Sequence, residues 1–514
     1  MKKSLVIITL VFLFFGFSCT PTQKSKEGIS ILNLSDLKLI GQVDEKYQSF
    51  NVEMCEVVGG EFWIPYDLLD PSKVATGDFN ALKRTIPAVN LYDEKLRMLT
   101  NALEPLYIRV SGTWANTTYF QDDDEPQLTT APEGYENVLT RKQWKGVIDF
   151  CEATNSKLVT SFAVSNGMRD SEGNWTPAQI EPLVNYTKLI GGEIAAAEMF
   201  NEPTFAALGG GPAGYDAAWF NRDFASFKSF VESAIPEMKI VGPGSVGEGG
   251  LLIDTSEVNV AAGAIGKTIT TEAMYTTEPI PEFEIFSYHF YGGVSKRCGG
   301  DLTPEDERTS EWFSKTEKEF EFYKKLRDKY NPDAPIWLTE TAEAACGGNP
   351  WAATYNDCFR YLEQLGRLAK KGVQVVMHNT LCASEYALLD QDTHEPRPNY
   401  WAAFLWSKLM GTEVYDAGIT AEGIDVFIHN LKGEKGYTAL IVNPKDVETS
   451  IEIPADAEQY LLTADELLTK TVKLNGEVLE LTPDETLPDV SGKKIKKGET
   501  LVPPHSIQFL AFKK

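Results

Sequence analysis

The chain has 514 residues, 43% hydrophobic and 24% charged, which is the make-up of a soluble globular protein and not of a disordered or fibrous one. That length exceeds the ~250–300 residues at which one hydrophobic core stops growing, so more than one core is expected. The formal charge of −26 creates a field that repels polyanions, which excludes nucleic acid as a partner and means that a sulfated polysaccharide would need a local basic patch.

The amino-terminal stretch MKKSLVIITLVFLFFGFSC combines Lys2 and Lys3, an apolar run from Leu5 to Phe15, and Gly16-Phe17-Ser18-Cys19. This is the layout of a secretory signal, too short for a spanning helix of ~20 apolar residues. The small residue before Cys19 resembles a bacterial lipobox, in which the cysteine is acylated and becomes the mature amino terminus; plain secretion is the alternative. Residues 1–19 are therefore expected to be a lipoprotein signal peptide, and residues 20–45 a polar tether with a strand that joins a later β-sandwich. The protein is expected to be exported and held on a bacterial membrane, the outer one, by lipid on Cys19. Loss of Lys2 and Lys3 takes the charge to −28. Of the remaining cysteines, Cys55, Cys151, Cys358 and Cys382 fall in apolar patterns and read as buried thiols. Cys298 and Cys346 lie in the glycine-rich loops KRCGG and AACGG and could pair in a compartment that permits disulfides. No CxxC spacing occurs, which speaks against zinc.

From about Tyr47 short β-rich runs alternate with amphipathic helical stretches. The runs are Phe50–Val57, Leu106–Gly112, Lys157–Val164, Ile194–Asn201, Lys239–Ser245, Phe283–Tyr291, Pro335–Glu340 and Val373–Leu381. Between them lie helix patterns such as DCFRYLEQLGRLAKKG, in which Phe359, Leu362, Leu365 and Leu368 recur at helical spacing and the charges fall opposite. Short apolar strands separated by helices call for a parallel sheet, and eight of them for closure into an α/β fold, the (β/α)8 TIM barrel, over residues 46–411. After about Thr412 strands follow one another through turn residues with no long helix, which predicts a carboxyl-terminal β-sandwich over residues 412–514.

In such a barrel the residues at the carboxyl ends of the strands face the active-site mouth. Asn201 and Glu202, in EMFNEPTF, end the fourth run, and Glu340, in IWLTE, ends the seventh. Two carboxylates from well-separated strands of one ring then face each other. Cleavage of a glycosidic bond needs such a pair, one to protonate the leaving oxygen and one to attack the anomeric carbon or activate water there. The bland alternative is chance in a chain with 74 acidic residues, and it is weakened by both glutamates lying at the same end of predicted barrel strands.

Asn-Glu-Pro on the fourth run with WLTET on the seventh resembles clan A of the retaining glycoside hydrolases. In order along the chain, YIRVSGTW, SYHFYGG, IWLTETAEAACGG, SEYALLDQDTHEPRPNYW and VKLNGEVLEL followed by DETLP are similar to heparanase and its bacterial relatives, glycoside hydrolase family 79. The resemblance covers nearly all of the mature chain. It implies that Glu202 is the general acid/base and Glu340 the nucleophile of a double displacement. It implies that Tyr291 hydrogen-bonds Glu340, that Asn201 meets the sugar 2-hydroxyl and that His289 supports this network, a core role being the alternative for that histidine. The implied substrate is an oligo- or polysaccharide containing β-linked glucuronic acid. Its carboxylate would be held by Tyr386 and the backbone N–H groups of Gly347 and Gly348, with Glu53 and Thr113 meeting ring hydroxyls. The mechanism calls for no metal or cofactor. Burial and the neighbouring charge of Glu340 are expected to raise the pKa of Glu202 so that it is protonated near neutral pH.

The chain departs from that pattern in places. Glu385 stands where heparanase has an asparagine before the carboxylate-binding tyrosine, and Ala345 where an aromatic residue is expected. Lys296 and Arg297 form a small basic spot near a position where heparanase is basic; Lys296 is a candidate substrate contact, and plain loop solvation is the alternative for both. Two other readings compete with a β-glucuronidase or heparanase-like enzyme: a non-catalytic glycan-binding lipoprotein on the same scaffold, and a clan A β-glycosidase for a neutral sugar.

Overall fold

The computed structural model of the protein describes residues 30–70, 72, 79–249, 268–418 and 423–514; the predicted signal segment, Cys19 and most of the tether lie outside the described residues. Eight strands form the barrel: β1 Gln48–Glu53, β2 Leu106–Ser111, β3 Ser156–Ser161, β4 Ala196–Glu198, β5 Lys239–Val246, β6 Ile285–Tyr291, β7 Ile336–Ala342 and β8 Val375–His378. Each pairs in parallel with its neighbours in sequence, and β8 closes on β1 through Met377 opposite Ser49.

Alternation along each strand sends one set of side chains to the helices and the other into the barrel. The outward set, among them Ile108, Leu158, Ile240, Phe286 and Leu338, merges with the helix faces into the main core. The inward set divides by height. Near the amino ends of the strands, Tyr107, Val159, Ala196, Val241, Ile285, Trp337, Val375 and Met377 form a separate apolar cluster. Two residues further along the same strands stand Arg109, Ser161, Glu198, Ser287 and Thr339, all buried and all polar.

Local chemistry moves several predicted boundaries. The first run ends as a strand at Glu53, and Met54–Val58 turn into a short helix because the Glu56 carboxylate accepts the Glu53 N–H at 2.6 Å. The fourth shrinks to three residues, so Asn201 and Glu202 lie beyond the end of β4, whereas Glu340 lies within β7. Every strand is followed by helix, and three of the long helices open on side-chain caps. Thr140 accepts from the Gln143 N–H, Asp216 from Trp219 and Thr309 from Trp312. In the helix Tyr355–Lys371 the charges opposite the leucine stripe are not solvated: Asp357, Arg360 and Glu363 are buried as well. A second layer covers that face. A Cβ on Gly366 would stand 2.4 Å from the Phe427 ring, and Arg367 pairs with both Glu363 and Asp425, so the helix is pressed between barrel and carboxyl-terminal sheet.

That sheet is antiparallel and is built on Met410–Asp416, Asp425–Leu431, Gly436–Asn443, Ser506–Lys513 and Ala457–Thr463 in that spatial order. A smaller sheet faces it. Ile428, Ile441 and Leu510 of the larger pack with Ile451, Ile453 and Val502 of the smaller in one apolar cluster. From the residues before the barrel, Lys38–Gln42 pairs with Met410–Asp416 and Ser30–Ile31 with Thr449–Ile453. Among the described residues no helix is long and apolar enough to cross a membrane.

Candidate active site

The chain leaves β4 through Met199 and Phe200, both buried, and reaches Asn201 and Glu202 at the barrel mouth. Glu202 has φ 55° and ψ 60°, a left-handed conformation that costs a non-glycine residue of order 1–3 kcal/mol. The Asn116 side chain holds the turn: its Oδ1 accepts from the Asn201 N–H and its Nδ2 donates to the Asn201 carbonyl, both at 3.0 Å. Pro203 then starts a short 3-10 turn.

From β7, Glu340 points into the same space. Tyr291 donates its hydroxyl to Oε1 at 2.6 Å and Arg109 donates Nη1 to Oε2 at 3.0 Å. Arg109 is fully buried. It also donates Nη2 to Glu198 at 2.7 Å and to Asn201 Oδ1 at 2.8 Å, so one guanidinium ties β2 to β4 and β7. Burial alone would raise the Glu198 carboxyl, but the Arg109 charge, the neighbouring His289 and the hydrogen bonds from Arg109 and Thr339 together outweigh it and hold Glu198 below the ordinary carboxylate range. Ser287 and Thr339 donate to its other oxygen at 3.0 and 2.8 Å, which completes a buried anion with matched donors.

Glu202 differs. Its side chain is 19% exposed, and it touches His289 Nδ1 at 3.0 Å. Burial pushes it up to about 7, Arg109 opposes, and the Glu198 charge adds to the rise. The sequence reading assigned that second push to Glu340; Glu198, four residues back at the end of β4, supplies it. Burial pushes His289 down to about 4, so the ring is neutral at pH 7. Its Nε2 faces Arg109 Nη2 at 3.3 Å. A guanidinium can only donate, so Nε2 accepts, the ring proton is assigned to Nδ1, and that N–H donates to Glu202 Oε1. The acid proton of Glu202 is then left on Oε2.

The donor atoms of Glu202, His289 and Glu340 all lie within 4.8 Å of one another. That matches the ~5–5.5 Å spacing of retaining glycosidases and not the ~6.5–9.5 Å of inverting ones. The same triplet is the group of possible metal ligands found among the described residues, and Arg109 and Tyr291 already hold both oxygens of Glu340.

A cavity of about 230 Å³ opens over the pair, lined by Glu53, Thr113, Asn201, Tyr291, Asn379 and Tyr386, with Trp63, Trp114 and Phe205 among its apolar walls. Asn379 Nδ2 lies 2.8 Å from Glu53 Oε1, 3.2 Å from the Tyr291 hydroxyl and 3.3 Å from the Tyr386 hydroxyl, its two hydrogens shared among the three acceptors. Tyr386 therefore accepts from Asn379 and keeps its own proton free. Burial, reinforced by Glu340, pushes Glu53 well above the ordinary carboxylate range, which favours its protonated form. Three buried polar atoms of the lining residues, Asn201 Nδ2, Glu53 Oε2 and Asn379 Oδ1, have no protein partner. Such orphans in a cavity wall suit the hydroxyls of a ligand.

The remaining predicted residues divide. Gly347 and Gly348 follow Cys346 in the loop after β7, with φ of 80° and 77°; a Cβ on Gly347 would strike Trp63, Ser384 and Arg297. The Gly348 N–H already donates to the Ala344 carbonyl at 3.2 Å. Cys298 and Cys346 are joined by a disulfide, and Cys346 lines the cavity. Lys296 does not line it; its ammonium lies 4.9 Å over the Trp351 ring. Arg297 is not a solvated loop residue: it is buried and paired with Glu385 at 2.7 Å. Sequence reasoning missed Arg109, Glu198, Asn116 and Asn379. The first two had a signal, since a single charge inside an apolar run (LYIRVSG, IAAAEMF) must find a buried partner. Asn116 and Asn379 had none.

No family model matches the chain. Heparanase of Bos taurus is 26% identical over 488 residues, covering 82% of this chain and 85% of that protein. Baicalin-beta-D-glucuronidase of Scutellaria baicalensis is 24% identical over 538 residues, covering 94% and 96%. Among solved structures, a 4-O-alpha-L-rhamnosyl-beta-D-glucuronidase from Fusarium oxysporum superposes with a TM-score of 0.61 at 11% identity, covering 94% of this chain and 99% of that one. At that identity the superposition speaks for the fold alone, a barrel with an appended sheet domain.

Proposed function

The chain is a relative of the heparanases and β-glucuronidases of glycoside hydrolase family 79, and on that premise we propose that it hydrolyses the bond of a β-linked glucuronic acid residue by double displacement, with retention. The observation that carries this reading is the pairing of a glutamic acid raised to about 7 with a carboxylate held by Arg109 and Tyr291, donor atoms within 4.8 Å.

In the first step Glu202 Oε2–H gives its proton to the glycosidic oxygen while Glu340 attacks the anomeric carbon. The carbon–oxygen bond to the leaving group breaks and a glycosyl ester forms on Glu340. In the second, water attacks the same carbon, the Glu202 carboxylate takes its proton, and the ester bond breaks to restore both groups. His289, neutral, holds Oε1 so that Oε2 faces the leaving oxygen. Asn201 Nδ2, without a protein partner, is the donor proposed for the sugar 2-hydroxyl, a contact that strengthens in the transition state. The free proton of Tyr386 and the backbone after Cys346 are proposed to hold the uronate carboxylate. A non-catalytic scaffold would have no use for a proton donor poised beside a nucleophile.

One observation keeps a neutral sugar in view: the Gly348 N–H is engaged by Ala344, which narrows the donors for a carboxylate. A panel of 4-nitrophenyl β-glycosides separates the two. Cleavage of the glucuronide in preference to the glucoside and xyloside is expected; the reverse order would transfer the substrate to the neutral class.

We also propose that the enzyme is exported and anchored by lipid on Cys19, acting on a glucuronic-acid-containing glycan at a bacterial outer membrane. The signal layout and the Cys298–Cys346 disulfide, which suits an oxidising compartment, support this. Labelled palmitate should enter the parent and not Cys19→Ser; equal labelling of both would refute the anchor.

A further inference from the structure

Behind the cavity wall formed by Cys346 and Tyr386 lies an ion pair that the catalytic mechanism does not use. Arg297, in the loop after β6, is fully buried, and the Glu385 side chain is 15% exposed. Arg297 Nη2 donates to Glu385 Oε2 at 2.7 Å and Nη1 donates to the Cys346 carbonyl at 3.0 Å. The Tyr66 ring lies 4.4 Å over the guanidinium, and the Tyr66 N–H donates to Glu385 Oε1 at 3.2 Å. Arg297 Nε is buried with no partner. The pair is thus one residue removed from the cavity on both sides: Arg297 touches Cys346, and Glu385 precedes Tyr386 in the chain. Of the further cations, Arg397 is engaged by Asp390 and by the carbonyls of Ser384 and Glu385, and Lys83 lies 5.7 Å from the Trp63 ring and 5.5 Å from the Trp114 ring in the apolar cavity wall. The carboxyls that line the cavity itself are Glu53, Glu202 and Glu340.

A fixed cation this close to the place proposed for the uronate carboxylate would bind it strongly if unmasked, because the water-poor loop layer screens poorly. Glu385 stands at nearly the same remove with the opposite sign. We propose that Arg297 and Glu385 together set the charge of the uronate subsite, Glu385 masking Arg297 so that the anionic sugar, and the free glucuronate released as product, are held by neutral donors. This inference rests on the glucuronide reading. Both residues act through the loop that carries the subsite and are positioning and specificity residues, not catalytic ones.

The test compares Glu385→Gln, Arg297→Gln and the double variant, using KM for 4-nitrophenyl β-D-glucuronide and Ki for glucuronate and for glucuronamide, its uncharged isostere. Glu385→Gln is expected to lower KM and the glucuronate Ki about fivefold, and Arg297→Gln to raise them about tenfold, with glucuronamide unmoved in both. The double variant should return the ratio of the two Ki values to within about twofold of the parent. If the pair is only a brace, Glu385→Gln will weaken glucuronate and glucuronamide together, and that result, or an unmoved glucuronate Ki, overturns the proposal. Should a single variant fail to fold, the double decides: a ratio far from the parent's contradicts it. A parent enzyme that cleaves no glucuronide removes the underlying reading, whereas a parent that cleaves it with an unresponsive Glu385→Gln removes only this one.

Discussion

The lower and upper halves of the barrel interior are made by the same strands and do opposite things. At the bottom, Val159, Ala196, Ile285 and Trp337 fill the ring with apolar volume. Two residues on, the inward positions become Ser161, Glu198, Ser287 and Thr339, joined by Arg109. The lower layer can be satisfied by any well-packed apolar set, since burial is non-directional. The upper layer admits few solutions, because every buried charge there must meet a partner at hydrogen-bond distance. Stability is built into one layer and chemistry into the other, and the step between them is a single β-alternation.

The sharpest way to break that division is at the nucleophile. Glu340→Ala should reduce kcat on the order of 10⁵-fold while leaving the fold intact, and azide should restore turnover by giving the α-glycosyl azide. Next, Glu202→Gln should cost about 10²–10⁴-fold in kcat on a poor leaving group and far less on nitrophenol, which needs no protonation. In the parent, kcat/KM should fall as pH rises through about 7, where Glu202 loses its proton, and the variant should lack that limb.

A matched pair of substitutions compares the layers directly. Arg109→Met leaves Glu198 buried and unpaired and should cost about 3–5 kcal/mol of stability together with most of the activity. Trp337→Ala opens a cavity in the lower layer and should cost a similar ~3–5 kcal/mol, yet keep kcat per folded molecule within about threefold. Equal loss of kcat in both would erase the distinction; chemical denaturation and active-site titration measure it.

The smallest effect concerns pH. The Glu202 carboxyl rises from 4.5 to about 7 on folding, so the folded state prefers the protonated form. The stability this contributes is complete below about pH 4.5 and is lost as pH rises through about 7. Glu202→Gln should therefore be more stable than the parent by ~3 kcal/mol at pH 8 and equal to it at pH 4, read from denaturant midpoints.

The lower layer was the legible one. Eight apolar runs at helical separation predict a barrel, and all eight strands form, because the hydrophobic period is a local property of the chain. Glu202 and Glu340 were legible through their strands, although β4 stops short of Glu202 and β7 continues past Glu340. What could not be read was the pairing within the upper layer. Arg109 meets Glu198 and Glu340 across 89 and 231 residues of chain, and neither contact leaves a periodic trace. Arg297 shows the cost of reading charge without packing: beside Lys296 it looks like a solvated pair, yet closure of the loops after β6 and β8 buries it against Glu385 while Lys296 stays exposed.

Glu340 forming a bond to the sugar, with Glu202 as its proton donor, is tested most directly by one measurement: the anomeric configuration of glucuronic acid released from a β-glucuronide, followed by proton NMR before mutarotation. The geometry predicts the β-anomer first, with α growing in later. Initial appearance of the α-anomer would mean direct attack by water and would contradict a nucleophile at Glu340.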